Sequence, residues 1–289
     1  MRSAFSLAAA ALALGSSHAT LAQEAVVPPV EDPPANAGVF EGDYLVLGAA
    51  GIYGPSYDGS DDYVISPVPL VQGRLGGIGI SPRGSGVAFD LIDDADGPGP
   101  YLSLGPVVGI RTARDADSED EVMELLPDLD TAIEVGAAAG IGFSGVLNPY
   151  DTLTFSADAR WDVAGAHEGM LASPSVSYLT PVSRGAVAAL SVRAQYVDDS
   201  FADYYYTVTP EAAAVTGLPV FDADGGFNQV GTTLLLGFDL NGDLTDGGLA
   251  AFVAGGYTRM LGDAKDTPFT SIRGSADQWL GAAGIAYVF

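Results

Sequence analysis

Residues 151–163 read DTLTFSADARWDV, and no other stretch limits the possible fold as tightly. Leu153, Phe155, Ala157, Ala159, Trp161 and Val163 are apolar, whereas Thr152, Thr154, Ser156, Asp158, Arg160 and Asp162 between them are polar. A strand sends successive side chains to opposite faces, so this segment has one apolar and one polar face. In a soluble sandwich the apolar face is core and the polar face meets water. In an outer-membrane barrel the apolar face meets lipid and the polar face lines the interior.

The rest of the chain separates these two readings. The alternation recurs with Ile133, Val135, Ala137, Ile141 and Phe143, again with Leu190, Val192 and Tyr196, and again with Leu234, Leu236 and Phe238. The intervening residues are small or polar, with an occasional leucine or valine such as Val187 and Leu235. Such residues suit a narrow, hydrated or charge-paired lumen, while a sandwich core needs large apolar side chains from two facing sheets. The alternating segments span roughly 11–14 residues, enough to cross a bilayer at a tilt and longer than the usual soluble strand.

Connection lengths alternate too. Tight turns are expected at 147–150, 181–184 and 241–243, and longer polar loops at 111–127, 165–169, 198–227 and 262–277. Short turns at one rim and long loops at the other are the barrel arrangement. Counting back from the last strand gives eleven strands if 75–92 is one strand. A break at Ser81-Pro82-Arg83-Gly84-Ser85, a good turn sequence, gives twelve and restores an even count; ten is the other count considered.

Composition agrees with export to a membrane. MRSAFSLAAAALALGSSHATLA has one basic residue, a short apolar stretch and small residues before a cut after Ala22, so residues 1–22 read as a secretory signal. Residues 23–42, rich in proline and alanine, read as a periplasmic tether, and 43–289 as the barrel. The chain has no cysteine, which removes thiolate chemistry, cysteine-bound metals and disulfides. Asp and Glu outnumber Lys and Arg 37 to 11, which argues against nucleic acid as a partner. After residue 22 no apolar run is long enough for a membrane helix.

The chain closes on QWLGAAGIAYVF, with Trp279, Ile285, Tyr287 and Phe289 on one face. This ending resembles the signal read by the outer-membrane barrel assembly machinery. YDGSDDYVISPVPLV, DARWDVAGAHEG, DDSFADYYYTV, YTRMLGDAKDTPFT and GAAGIAYVF, in that order, resemble the MipA/OmpV family of outer-membrane proteins. Tyr205-Tyr206-Thr207-Val208 stands where the family has Tyr-Tyr-Gly-Val, and Asp266-Thr267-Pro268 where it has Asp-Ser-Pro. The resemblance implies an outer-membrane barrel. It also implies a scaffold between a murein transglycosylase and a murein synthase, or an adhesin or porin-like role. Outer-membrane lipid and lipopolysaccharide are the expected surroundings.

Several stretches carry residue types that chemistry would need, and each also has a plain structural reading. His167, the one histidine after residue 22, lies near Asp162, Glu168 and Ser173, which suggests a Ser-His-acid hydrolase. No Gly-x-Ser-x-Gly elbow accompanies it, and a structural loop histidine is the preferred reading. Asp239, Asn241, Asp243 and Thr245 imitate the start of a calcium loop, but Leu244 and Ala250 stand where glycine and glutamate are needed. Asp222-Ala223-Asp224-Gly225-Gly226 reads as a turn. Asp115, Asp117, Glu119, Asp120 and Glu121 form an acidic run in an external loop, read first as a solvated loop and second as a site for divalent cations that bridge lipopolysaccharide phosphates. Glu134, Asp158, Arg160, Arg193 and Asp239 are expected to face the lumen, their mixed signs favouring internal pairing. No catalytic residue, cofactor site or metal site is assigned. The expectation is a non-enzymatic barrel of scaffold type, with a narrow diffusion channel second and a hydrolase third.

Overall fold

The computed structural model describes residues 39–40, 42–92, 100–112 and 120–289. The expected signal sequence, most of the tether, and Asp115, Asp117 and Glu119 lie outside them. Twelve strands follow one another: β1 (Tyr44–Pro55), β2 (Tyr63–Leu75), β3 (Ile78–Arg83), β4 (Gly86–Asp90), β5 (Pro100–Arg111), β6 (Ala132–Ser144), β7 (Thr152–Asp162), β8 (Met170–Ser183), β9 (Ala186–Val197), β10 (Gly226–Asp239), β11 (Gly248–Met260) and β12 (Asp277–Val288). Each pairs with its neighbour in sequence and β12 pairs antiparallel with β1, closing the barrel. Closure matters because an open sheet edge in hydrocarbon would leave backbone groups without partners. The break expected at 81–85 falls where β3 gives way to β4, so twelve is the count and ten is not.

The face question posed by DTLTFSADARWDV has a direct answer. Thr152, Thr154, Asp158 and Arg160 are buried, while Phe155, Ala157 and Trp161 are exposed, Trp161 at 51%. The polar side is interior and the apolar side is the outer wall. Ile133, Val135, Leu190, Val192, Leu234 and Phe238 share that outer wall. A continuous apolar exterior of this kind needs lipid rather than water around it.

Aromatic rings border the band at both ends. Tyr53 with Tyr63, Tyr196 with Phe227, and Tyr257 with Trp279 pair at one rim, their centroids 4.9–5.7 Å apart. Tyr287 with Phe289 and Phe143 with Phe155 pair toward the other. Amphipathic rings settle at the two membrane interfaces. The short turns and both described ends of the chain share the second rim, where Leu45 and Phe289 exchange backbone hydrogen bonds. That rim is the periplasmic one in barrels of this type.

The lumen is filled in three layers. At the periplasmic end Tyr44, Val46, Leu70, Leu179, Val187, Leu235, Leu244, Phe252 and Val288 form one buried apolar cluster. Mid-height is charged. The extracellular end is covered by loop helices α1 (Asp199–Tyr206), α2 (Pro210–Thr216), α3 (Gly262–Asp266) and α4 (Pro268–Ser271). Asp198 caps α1 by accepting from the Phe201 amide, and the helix buries Phe201, Ala202 and Tyr206 against Leu171, Val197 and Met260. The apolar seal was the part least visible in sequence. Only the leucines and valines interrupting the polar set, Val187 and Leu235 among them, gave a sign of it.

One periplasmic turn is held by a single carboxylate. Asp151 accepts from the amides of Val146, Leu147 and Asn148 at 2.6–3.0 Å and from the Tyr178 hydroxyl at 2.7 Å. Burial pushes its carboxyl up, but these donors outweigh that and hold it below the usual carboxylate range. Asp151→Ala is expected to cost about 1–3 kcal/mol, because it strands these donors. A depressed folded-state pKa contributes stability above the unfolded value of about 3.9, and that stability is lost as pH falls through the folded value. The difference between wild type and Asp151→Ala in urea unfolding should therefore be full at pH 7 and shrink at the acid end. A pH-independent difference would refute the assignment.

Candidate functional site

The segments that stood out along the sequence converge on the extracellular mouth. Tyr57 and Asp58 come from the β1–β2 loop, His167 from the β7–β8 loop, Tyr205 and Tyr206 from α1, and Phe269 from α4. Thr267 Oγ1 donates to the Tyr206 carbonyl at 2.6 Å, so the Asp-Thr-Pro and Tyr-Tyr-Thr-Val elements are hydrogen-bonded to each other. Thr207 has φ −72°, which needs no glycine, and its hydroxyl accepts from the Ala223 amide at 3.0 Å. Gly59 has φ +99° and lies against Thr270, where a Cβ would collide. The β1–β2 loop is thereby locked onto α4.

Between these loops lies a cavity of about 200 Å3, lined by Tyr57, Asp58, Arg111, Phe201, Tyr205, Tyr206 and Phe269 among others. Burial pushes the Tyr205 and Tyr206 hydroxyls up, so both are neutral at physiological pH. Arg111 stacks over the Phe201 ring at 5.2 Å and donates to Glu134 at 2.6 Å on the cavity floor. Aromatic walls over a charged floor suit a small ligand with one apolar face and one polar edge.

Beneath the floor lies the expected luminal charge pairing. Glu134, fully buried, binds Arg111 at 2.6 Å and Arg160 at 3.3 Å, and Arg160 also reaches Asp158 at 2.8 Å. Arg160 further donates to the Arg83 carbonyl at 3.1 Å, and Arg83 donates to Ser156 at 3.0 Å. Arg83 and Arg111 also belong to this group: Arg83 was hidden in the turn sequence at 81–85, and Arg111, the last residue of β5, stood at the start of the loop expected at 111–127. Arg193 lies near it beside Gly84, its Nε and Nη2 buried without hydrogen-bond partners, and Asp239 does not join it. Asp239 turns to the amides of Asn241, Gly242 and Asp243 at the periplasmic rim. Its loop is a turn held by carboxylates facing its own backbone, and Asp243 is taken up by Thr245 and Arg184.

His167 is a packed residue. Nδ1 accepts from the Gly169 amide at 3.1 Å, Nε2 faces Glu134 at 3.7 Å, and the ring packs against Phe201 and Tyr205. Ser173 Oγ is buried without a hydrogen-bond partner, so no serine–histidine pair is formed there. In the acidic run, Asp120 takes Arg273 at 2.7 Å and caps the turn at Val122. Burial raises its carboxyl, yet Arg273 and these amides bring it below the ordinary range. Asp224 and Gly225 sit in a turn whose amides are taken by Asp263 and Asp199.

A closed antiparallel barrel with an apolar exterior, two aromatic belts, and short turns opposite long loops is an outer-membrane β-barrel. The chain belongs to the family described as MltA-interacting protein MipA, which matches residues 47–289. No curated protein matches it. Among solved structures it is similar to the COG4313 outer membrane channel from Pseudomonas putida F1, with 12% identity, 90% of this chain and 100% of that chain covered, and a TM-score of 0.44. It is also similar to the outer membrane protein OprD from Pseudomonas aeruginosa, with 15% identity, 86% and 66% covered, and a TM-score of 0.35.

Proposed function

We propose that this barrel is a non-conducting, non-enzymatic platform of the outer membrane that holds a periplasmic murein transglycosylase at its periplasmic rim. The observation that carries the reading is the buried apolar cluster across the periplasmic end of the lumen. Water and ions do not cross such a layer, which speaks against the diffusion channel. The packed setting of His167 speaks against the hydrolase. The family description, MltA-interacting protein, supplies the class of partner. The Asp151-braced turn supplies a rigid presentation of Leu147, 78% exposed, beside Tyr150 on the periplasmic side. Exposed apolar anchors on a rigid turn are the usual centre of a docking surface. Lipid and lipopolysaccharide surround the barrel in this reading.

Two measurements test it. Reconstituted into planar bilayers, the protein should give no conductance steps; steady steps would restore the channel. Detergent-solubilised barrel should retain a purified periplasmic murein transglycosylase, and Leu147→Asp with Tyr150→Ala should weaken retention by about tenfold or more. Retention unaffected by both changes would remove the rim from the proposal.

A further inference from the structure

The barrel wall is unzipped along one seam. β2 pairs with β1 over its full length, from Arg74 up to Tyr63. On its other side it meets β3 only at Gly73–Ile80, Arg74–Gly79 and Leu75–Ile78. Among the described residues no strand lies against 65–71 on that side.

The direction of each backbone group follows from the turn below. Gly76 and Gly77 both have positive φ, +58° and +82°, the signature of a two-residue turn of type I′. Its closing pair, Leu75 with Ile78, exchanges hydrogen bonds, so odd residues of β2 and even residues of β3 aim at each other. The far side agrees: Ser56 donates to the Asp62 carbonyl, an even–even bond continuing the β1–β2 ladder. Pro67 and Pro69 are odd residues of β2. Pro82 is an even residue of β3, at the register position opposite Val71 where pairing stops. Three prolines on two strands thus stand where an N–H would point into the same gap. Proline has no N–H and is tolerated in sheets where no ladder bond is needed. The seam cannot zip, and a foreign strand would meet missing donors along it.

The cause lies at the tip of the β3–β4 hairpin, which leans into the lumen. Arg83 is tied to Ser156 on β7, Arg160 holds its carbonyl, and a Cβ on Gly84 would press on the Arg193 guanidinium of β9. The neighbouring seam stays shut. Leu91 donates to the Leu104 carbonyl and Asp90 accepts from the Leu104 amide, both at 3.0 Å. Among the described residues nothing fills the space behind the open seam: Ser66 and Val68 point inward yet are exposed, Val68 at 38%. The lips are Ile65, Pro67, Pro69 and Val71, below the Tyr53–Tyr63 pair that marks the extracellular interface. The slot therefore opens at the depth of outer-leaflet hydrocarbon.

We propose that this slot admits an acyl chain of an outer-leaflet lipid sideways into the lumen. Hydrocarbon matches lips whose side chains are apolar, and at Pro67 and Pro69 a peptide strand would find no N–H to pair with. The inference is independent of the docking role at the opposite rim.

The test uses the absence of native cysteine. Single variants Ser66→Cys and Val68→Cys carry a fluorophore in the slot, Leu190→Cys on the lipid face, and Thr233→Cys in the lumen away from the slot. Each is folded into phosphatidylcholine vesicles with brominated acyl chains, and heat-modifiable migration confirms the barrel. Quenching at 66 and 68 should approach that at Leu190→Cys and exceed that at Thr233→Cys several-fold. Quenching by brominated chains no greater than at Thr233→Cys, whatever aqueous iodide does, overturns the proposal. The two slot positions are independent, so a variant that fails to fold leaves the other to decide.

Discussion

Glu134→Ala is expected to destabilise the barrel by about 3–5 kcal/mol, the cost of removing one partner from a buried ion pair. The carboxylate is fully buried and serves Arg111 and Arg160, with His167 facing it. Removing it leaves two guanidiniums in a lumen closed above by α1 and below by the apolar seal. Arg160, 2% exposed, is left with Asp158 alone, and Arg111, 16% exposed, loses the carboxylate it binds, which is why the expected loss is beyond that of a surface pair at about 0–1 kcal/mol. Glu134→Gln keeps an acceptor for Arg111 but not the charge, and should fall between. Urea unfolding from lipid vesicles, followed through Trp161 and Trp279, measures the difference. A loss under about 1 kcal/mol for Glu134→Ala would mean that water reaches the network and the lumen is open.

Ala157→Arg is expected to cost about 2–4 kcal/mol, the price of an arginine on the lipid face near the bilayer midplane. Ala157 is the central residue of β7 and faces outward between Phe155 and Ala159. Thr233→Glu is the comparison, since Thr233 faces the lumen in a polar pocket with Ser191, Arg193, Gln195 and Gln229. There a carboxylate finds the Arg193 guanidinium, and the cost should be clearly smaller. The comparison reads which face meets hydrocarbon. Equal costs at the two positions would undo the orientation of the whole barrel.

The luminal pairing of Glu134, Asp158 and Arg160 was legible because all three lie on strongly alternating segments, so their faces were known before their neighbours were. Asp239 shared the face but not the network, because its height along β10 puts it at the periplasmic turn rather than at mid-lumen. Height and partner across the barrel depend on strand tilt and stagger, and neither is written in a single strand. Arg83 was hidden for a related reason. It sits in a turn-like run, SPRGS, whose side chains have no face until the hairpin is placed. The convergence of Tyr57, Tyr205, Tyr206 and Phe269 was equally invisible, since Tyr57 and Tyr205 are 148 positions apart and only closure of the barrel makes their loops neighbours.

By itself the amino-acid order determined the strand period, the face each side chain takes, the sequence of short and long connections and the even strand count. These are local quantities, set by alternation over two residues and by turn chemistry. Tertiary structure alone decided that a buried apolar cluster lies at the periplasmic end of the lumen, that the loop helices roof a cavity, and that β3 pairs with β2 only below Pro67 and Pro69. Each of these depends on what faces what across a closed cylinder, and that distance exists only after β12 has met β1.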